Sequence, residues 1–386
     1  MTQRLFALTS LAGLTLLFAC KSRIILLTTG AGGDSGPTTT TRTSSGSGGC
    51  DCDTTTTVAV TSTGAGGSPP HPPTPCGEIS VPDTMEPIYS AWAMDLCDIA
   101  ASPPGWGLIS AVWTLPDGTP ASTLPGPPAA PATNFFYQGH GTLREFGVNL
   151  APRHGSTMLS LSSGSAFTPT QWPDYFDAST DGLDKEYASA YPPGFPRIDP
   201  ACPGVTPGPS HDGQALELTV RAPPDAIGFA YDVDYYTFDW PSRVCAPSTD
   251  TFAALLSPPP PGHPDGNITF DSSGNLLSAN SDFLEVCACA GGPPCLAGGK
   301  SFACALGADQ LVYSGYGIDK SVDGAGHGAT GWLTTTAPVT PGGTFTLRFA
   351  IWDAGDGLHD STVLIDNFQW ITEGTVTVQT TRALPP

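Results

Sequence analysis

The 386-residue chain carries 35 Asp and Glu against 14 Lys and Arg, a formal net charge of −21, although only 13% of its residues are charged. Such a surface repels phosphate backbones and anionic headgroups, which argues against nucleic acid as a partner. Its 46 Gly and 41 Pro commit much of the length to loops and turns, so one large β domain is a simpler expectation than two or three average ones.

At the amino terminus Arg4 precedes an apolar stretch from Leu5 to Ala19. That is long enough for the core of a signal peptide and short of the about 20 residues of a membrane span. It ends in Leu17-Phe18-Ala19-Cys20, which resembles the lipobox of bacterial lipoproteins, where a peptidase cuts before the cysteine and its sulfur carries a diacylglyceryl thioether. Residues 1–20 are thus expected to be a lipoprotein signal peptide, with Cys20 as lipid attachment and the outer membrane or cell surface as the address. Phe18 is bulkier than the pattern prefers, and two other readings compete: a signal peptide cleaved elsewhere, or an anchor helix continuing through Ile24 to Leu27. In the anchor, Lys21 and Arg23 would each cost about 2.5–3.5 kcal/mol at a helix centre.

Residues 21–75 are mostly Thr, Gly, Ser and Pro. A segment so poor in apolar side chains cannot offset its ordering entropy, and a disordered, flexible stalk is predicted. Cys50-Asp51-Cys52 interrupts it. Two cysteines separated by one residue bridge each other poorly, so they are expected to pair with later cysteines such as Cys76, or between chains.

A single domain is expected over 76–380, followed by a tail at 381–386. Eleven cysteines in an exported chain point to an oxidising compartment. With Cys20 consumed by lipid, the remainder are Cys50, Cys52, Cys76, Cys97, Cys202, Cys245, Cys287, Cys289, Cys295 and Cys304, an even set that suits five disulfides with open connectivity.

One short helix is legible where Asp83-Thr84-Met85-Glu86 has capping-box spacing and Ile88, Trp92, Leu96 and Ala100 recur every four residues. Pro103-Pro104 would stop it, and Cys97 would carry a disulfide from it to the sheet. Strands are predicted at Leu108–Leu115, Thr157–Leu161, Leu216–Arg221, Ile227–Tyr236, Thr251–Leu256, Thr344–Trp352, Ser361–Trp370 and Thr375–Thr380, all rich in β-branched and aromatic residues. Asp265-Gly266-Asn267, Pro341-Gly342-Gly343 and Asp356-Gly357 mark reversals between them. With so little helix, the fold class is mainly β: a disulfide-stapled, jelly-roll-like β-sandwich.

Several stretches recur together in a recognisable order. They are Trp106 to Trp113, Gly139-His140-Gly141, Leu159 to Gly164, Pro200 to Val205, Ala215 to Leu256, and Gly328 through Thr336 to Leu364-Ile365-Asp366-Asn367-Phe368. This ordered set, spanning about residues 85–371, resembles the choice-of-anchor L family as it occurs in myxobacterial lipoproteins. The resemblance implies a bacterial cell-surface module and no established catalytic activity. Thr249-Asp250 departs from the Asn-Asp of relatives, and no carboxy-terminal sorting signal follows Trp370, so the anchor is expected at the amino terminus.

The strongest candidate site in the residues themselves is acidic. Asp353, Asp356, Asp360 and Asp366 lie on or beside a Gly-containing loop, and Asp360 and Asp366 share a face if the stretch is one extended strand. Hard oxygen ligands suit calcium, and Asp250 could join them. The competing account has Asp353 and Asp360 capping the turn and Asp366 accepting backbone hydrogen bonds. Cys287, Cys289, Cys295 and Cys304 lack the paired knuckles and histidine of a zinc site, so two local disulfides are expected there. Gly298-Gly299-Lys300-Ser301 lacks the first glycine of a phosphate-binding loop and reads as a plain loop.

His140, His154, His211, His327 and His359, with Ser160 and Ser163, appear in no nucleophile elbow or metalloprotease motif. Tyr231, Tyr235, Tyr236, Phe238 and Trp240 suit either a sugar-stacking platform or a core face, with the core preferred. Two function classes remain. The preferred one is a non-catalytic structural or adhesion module, joined to the membrane by its lipid and binding a glycan, matrix or envelope-protein ligand. The alternative is a secreted hydrolase acting on polysaccharide or peptide.

Overall fold

The computed structural model describes Cys76 and residues 86–100, 105–124, 135–168, 171, 182–317 and 326–384. The leader with Cys20, the stalk with Cys50 and Cys52, and the capping residues Asp83 to Met85 lie outside the described residues.

In chain order the strands are β1 (Gly107–Thr114), β2 (His140–Leu143), β3 (Met158–Ser162), β4 (Ser210–Arg221), β5 (Gly228–Thr237), β6 (Thr251–Ser257), β7 (Leu277–Ser278), β8 (Cys295–Ala297), β9 (Lys300–Phe302), β10 (Gly328–Ala329), β11 (Leu333–Pro338), β12 (Thr344–Ala354), β13 (Ser361–Ile371) and β14 (Gln379–Arg382). One sheet has the order β1-β4-β12-β6-β7, and the other β14-β11-β5-β13-β3-β2 with β10 also on β5. β8 and β9 form a separate small hairpin. From β3 to β6, and again from β11 to β13, the chain switches sheet at every strand, so the main connections cross the sandwich as in a jelly roll.

The alternation of side chains along each strand explains the packing. Leu216, Leu218 and Val220 of β4 and Phe345, Leu347, Phe349 and Ile351 of β12 meet Phe229, Tyr231 and Val233 of β5 and Val363 and Ile365 of β13 in one core. Phe229 stacks on Phe345 at 5.4 Å between centroids with planes 3° apart, and Tyr231 meets Phe349 edge-on at 5.0 Å. Intervening residues of the second sheet point the other way into a second cluster, where Phe146, Leu150, Leu311 and Tyr316 cover Tyr236 and Leu364. β13 is therefore covered on both faces, which is why Thr362 to Ile365 reads as an almost unbroken apolar run. The aromatic segment at 231–240 is core throughout: Tyr231 and Tyr235 are buried inward, and Tyr236 and Phe238 join the outer cluster.

Six of the eight predicted strands appear within two residues of their predicted limits; β4 begins six residues before the predicted Leu216, and the last is displaced from Thr375–Thr380 to β14. β2, β7 to β10 and β11 were not foreseen; several are too short to show alternation, and β11 is mostly threonine. The helix is only Pro87–Ala93, with no side-chain cap from Glu86. Asp95 adopts φ 72 and Leu96 N–H donates back to Ala91 at 3.0 Å, so the chain turns there and drops Leu96 into the core. Leu96 and Ala100 thus continue the apolar spacing without continuing the helix.

Four disulfides join Cys76–Cys97, Cys202–Cys245, Cys287–Cys304 and Cys289–Cys295. The last two are the expected local pair around β8 and β9. Cys97 is bonded to Cys76 instead of the sheet, and Cys76 is thereby unavailable to Cys50 or Cys52. Asp356-Gly357 and Pro341-Gly342-Gly343 do reverse the chain, but each joins strands of opposing sheets and closes no hairpin.

The outer cluster encloses one acid, Asp234 of β5, which accepts hydrogen bonds from Gln310 at 2.6 Å and Thr330 at 3.3 Å. Burial pushes its carboxyl from 3.8 up to about 7, against the opposing pull of Gln310, Thr330 and Arg382. A raised acid favours the folded state while it holds its proton. The contribution is complete below about pH 4 and is lost as pH rises through about 7. Asp234→Asn, which keeps an acceptor for Gln310, is expected to gain stability relative to the parent between pH 4.5 and 7.5. Urea unfolding at both pH values measures this, and a pH-independent difference would remove Asp234 as the cause.

Candidate functional site

The acids singled out in the sequence converge at one end of the sandwich, with one exception. There the loop after β3, the strap at 182–187, the β5–β6 connection and the β12–β13 turn come together. Asp353, next to last in β12, accepts from Gly357 N–H at 3.1 Å, capping the turn as the simpler reading has it. Asp250, just before β6, accepts from Ser163 Oγ at 2.9 Å and from Ala354 N–H at 3.3 Å. Asp360 lies between the loops and accepts from Leu183 N–H at 2.5 Å, while its carbonyl accepts from Phe238 N–H. Asp356 stays at the rim, 4.0 Å from Arg243.

Two acidic residues absent from the sequence-based set complete this end. Asp239, hidden in the aromatic run, accepts from Asp250 N–H at 2.6 Å. Asp212 of β4 accepts from the backbone N–H groups of Lys185 and Tyr187, both at 3.0 Å. Lys185 is buried with them and donates to the Ser162 carbonyl at 3.0 Å. The sequence offers no periodic signal for Lys185, because it lies in the irregular strap.

Asp366 does not belong here. It sits at a β13 bulge on the outer face of the second sheet and accepts from backbone N–H groups of Arg153 at 2.5 Å, His154 at 3.1 Å and Asn367 at 2.7 Å. The six-residue spacing from Asp360 cannot place both on one face, because β13 begins only at Ser361 and Asp360 belongs to the preceding turn. Arg153 extends the contact to Asp232 at 3.0 Å, and His154 meets Asp95 at 2.9 Å.

Burial raises Asp239, Asp250, Asp353 and Asp360 well above the ordinary carboxylate range, and their mutual repulsion adds to it. Burial also lowers Lys185 to about 8 against the attraction of Asp212, Asp360, Asp353 and Asp250. Asp239 Oδ1 and Asp353 Oδ2 are buried without a hydrogen-bond partner. Among the described residues no group of three His, Cys, Asp or Glu side chains is gathered closely enough to hold a metal ion, so the expected calcium finds no assembled ligand set. These acids tie loops together; at 0–3% exposure they are closed to a substrate.

The residues weighed for nucleophilic chemistry have other occupations. Ser160 Oγ donates to the Ala166 carbonyl at 2.8 Å and Ser163 to Asp250. His140 stacks on Trp113 at 3.7 Å and faces Gln214, and His327 lies against the Phe238 and Trp240 carbonyls. Gly298-Gly299 is the β8–β9 turn, and Lys300 reaches Asp282 at 3.2 Å.

Two surface features lie on the outer face of the first sheet. Tyr191, Phe195, Arg197, Asp199 and Asn280 surround Trp352 in a narrow crevice. Trp352 is 1% exposed and met edge-on by Tyr191 and Phe195, so its face cannot stack on a sugar. Farther along the same face Glu217 of β4 and Arg348 of β12 pair across the strands, with Arg348 Nε 2.8 Å from Glu217 Oε2. Thr219 and Thr346 are the next cross-strand pair, and Val112 of β1, 42% exposed, flanks Glu217. This strip is mostly polar and partly open, and Arg348 also donates to the Pro116 carbonyl at 3.3 Å.

Asp360 fits only because its neighbours lack side chains. A Cβ on Gly164 would stand 1.5 Å from Asp360 Oδ2, and one on Gly182 2.0 Å from it. Gly164→Ala is therefore expected to destabilise the fold by about 1–3 kcal/mol and to expose the 182–187 strap to protease. Gly291→Ala, where nothing lies within 4 Å, serves as the neutral comparison. Equal denaturation midpoints for the two variants would refute the tight seating of Asp360.

No family model matches the chain, and no curated protein matches it. Among solved structures, the chain is similar to a carbohydrate-binding module characterised for specific mannan recognition, at 11% identity and a TM-score of 0.20, over 65% of this chain and 95% of that one.

Proposed function

We propose that this chain is a lipoprotein of the bacterial cell surface, tethered at the outer membrane through Cys20, whose sandwich is a non-catalytic adhesion or binding module held away from the bilayer by residues 21–75. The observation that supports this reading best is the disulfide set. All eight cysteines of the described residues are bonded in four pairs, a state that persists in oxidising compartments and is reduced in the cytosol. The acidic, charge-poor composition and the signal-like amino terminus agree with export.

The surface that best suits a ligand is the Glu217–Arg348 strip. A carboxylate, a guanidinium and threonine hydroxyls on one sheet face provide both donors and acceptors, the chemistry that recognises a hydroxyl-rich glycan. On the second sheet Phe146, Leu150, Leu311 and Tyr316 cover the outer side around Tyr236 and Leu364, and farther along it Arg153 and Thr334 are both engaged with Asp232. The hydrolase alternative is weaker on geometry, since the acids that meet are sealed from solvent.

Cys20→Ser is expected to move the protein from the membrane fraction to the soluble envelope fraction, and retention in the membrane would overturn the lipid anchor. For the ligand, a panel of envelope and matrix polysaccharides on the folded domain is the direct assay. Replacing both Glu217 and Arg348 by Ala should lower glycan binding at least tenfold with the melting temperature shifted little. Unaltered binding by that double variant would move the ligand site elsewhere.

A further inference from the structure

We propose that Tyr313 is a stacking platform for a neutral sugar ring, a glycan contact separate from the Glu217–Arg348 strip and carried by the loops over the second sheet. The inference takes its ligand class from the glycan reading above and its site from a different surface. Tyr313 is 55% exposed, the one aromatic side chain more than half exposed among the described residues. None of those residues hydrogen-bonds its hydroxyl or stacks on its ring. Beside it stand Val148, 62% exposed, and Val312, 41% exposed, joined by the Val148 N–H donating to the Val312 carbonyl at 3.3 Å.

Two loops hold this patch in place, and each is anchored in the outer cluster on both sides of its exposed tip. Phe146 and Leu150 are buried there, and Phe146 N–H donates to the Leu150 carbonyl at 3.0 Å, leaving Val148 and Asn149 outside a tight turn. Leu311 and Tyr316 anchor the other loop, with Ser314 Oγ donating to the Leu311 carbonyl at 2.8 Å and the Tyr316 hydroxyl to Thr362 at 2.8 Å. Asn149 Nδ2 ties the loops together through the Asp309 carbonyl at 2.6 Å. Gly147, at φ 68, lets them touch: a Cβ there would stand 2.7 Å from the Val312 carbonyl oxygen and 3.0 Å from Ser314 N. Tyr313 itself has φ 58, a left-handed conformation that suits Gly or Asn and strains a bulky side chain. Such strain persists where the surroundings over-determine it, and it gathers at ligand sites.

The chemistry of the patch selects the ligand. A pyranose ring presents a face of C–H groups bordered by hydroxyls. The C–H face suits the electron-rich face of a tyrosine ring. The bordering hydroxyls suit the phenol and the exposed Asn149 and Asp309, which supply donors and acceptors beside it. A nucleobase also stacks on tyrosine, but its phosphates are repelled by a chain of net charge −21. The same charge disfavours uronic-acid polymers and a second copy of this chain. Three apolar side chains also fall far short of the roughly 20–30 residues a side of a stable protein interface.

The test is affinity electrophoresis of the full chain in gels containing galactomannan, xyloglucan or dextran, with alginate as the anionic comparison. At least one neutral polymer should retard the parent. Tyr313→Asn removes the ring and suits the left-handed backbone, so it should weaken binding about tenfold with an unchanged melting temperature. Tyr313→Phe keeps the ring and should bind nearly as the parent does. Equal losses in the two variants would overturn stacking, and retardation by alginate alone would overturn the ligand class. If Tyr313→Asn binds like the parent while the Glu217 and Arg348 double variant does not, this inference falls alone. The reverse result keeps Tyr313 and removes the strip, and no retardation by any polymer removes both. A dimer in sedimentation that Tyr313→Asn dissociates would make a second copy the occupant and overturn the proposal.

Discussion

The contact between the two sheets, centred on Phe229 against Phe345 and Tyr231 against Phe349, is the constraint from which the rest of the molecule follows. Neither sheet can bury its inward face alone, so β5 and β13 must lie over β4 and β12, and the chain must cross the sandwich between them. Every crossing leaves a loop at one end or the other. The β12–β13 turn, the β5–β6 connection and the loop after β3 emerge at the same end, and the acids they carry meet there because the core above them has set the strand positions.

That end is electrostatically expensive. Asp239, Asp250, Asp353 and Asp360 are buried with Lys185 and only a rim contact from Arg243; burial raises their carboxyls well above the ordinary range, and backbone N–H groups donate to Asp353 and Asp360. Gly164 and Gly182 contribute by leaving room where Asp360 must lie. The outcome is an acidic cap that fastens four loops across the sandwich. On the outer face of the first sheet the Glu217–Arg348 pair lies beyond the residues packed on Trp352, with Arg348 also donating to the Pro116 carbonyl.

Strand reading from sequence succeeded where a single rule acts over several residues. Leu216 to Arg221 and Thr344 to Phe349 alternate cleanly because there one face of their sheet is core and the other partly solvated. Ser361 to Trp370 was legible for a different reason, as an apolar run covered on both faces. β7, β8, β9 and β10 are two or three residues long, too short for any period to register. The helix was overextended because Leu96 keeps the spacing of its apolar face while the backbone has already turned at Asp95.

The sequence alone determined the local quantities: which segments pleat, which of their residues alternate, and that the cysteines at 287–304 staple one another, since each depends on neighbours a few residues away. Only the tertiary structure decided that Asp239 and Asp212 join Asp250, Asp353 and Asp360, that Asp366 faces the opposite side, and that Cys76 takes Cys97. Those outcomes depend on which sheet each strand enters. A strand that crosses to the opposing sheet carries its terminal residues to partners a hundred or more positions away, and no spacing along the chain records that choice.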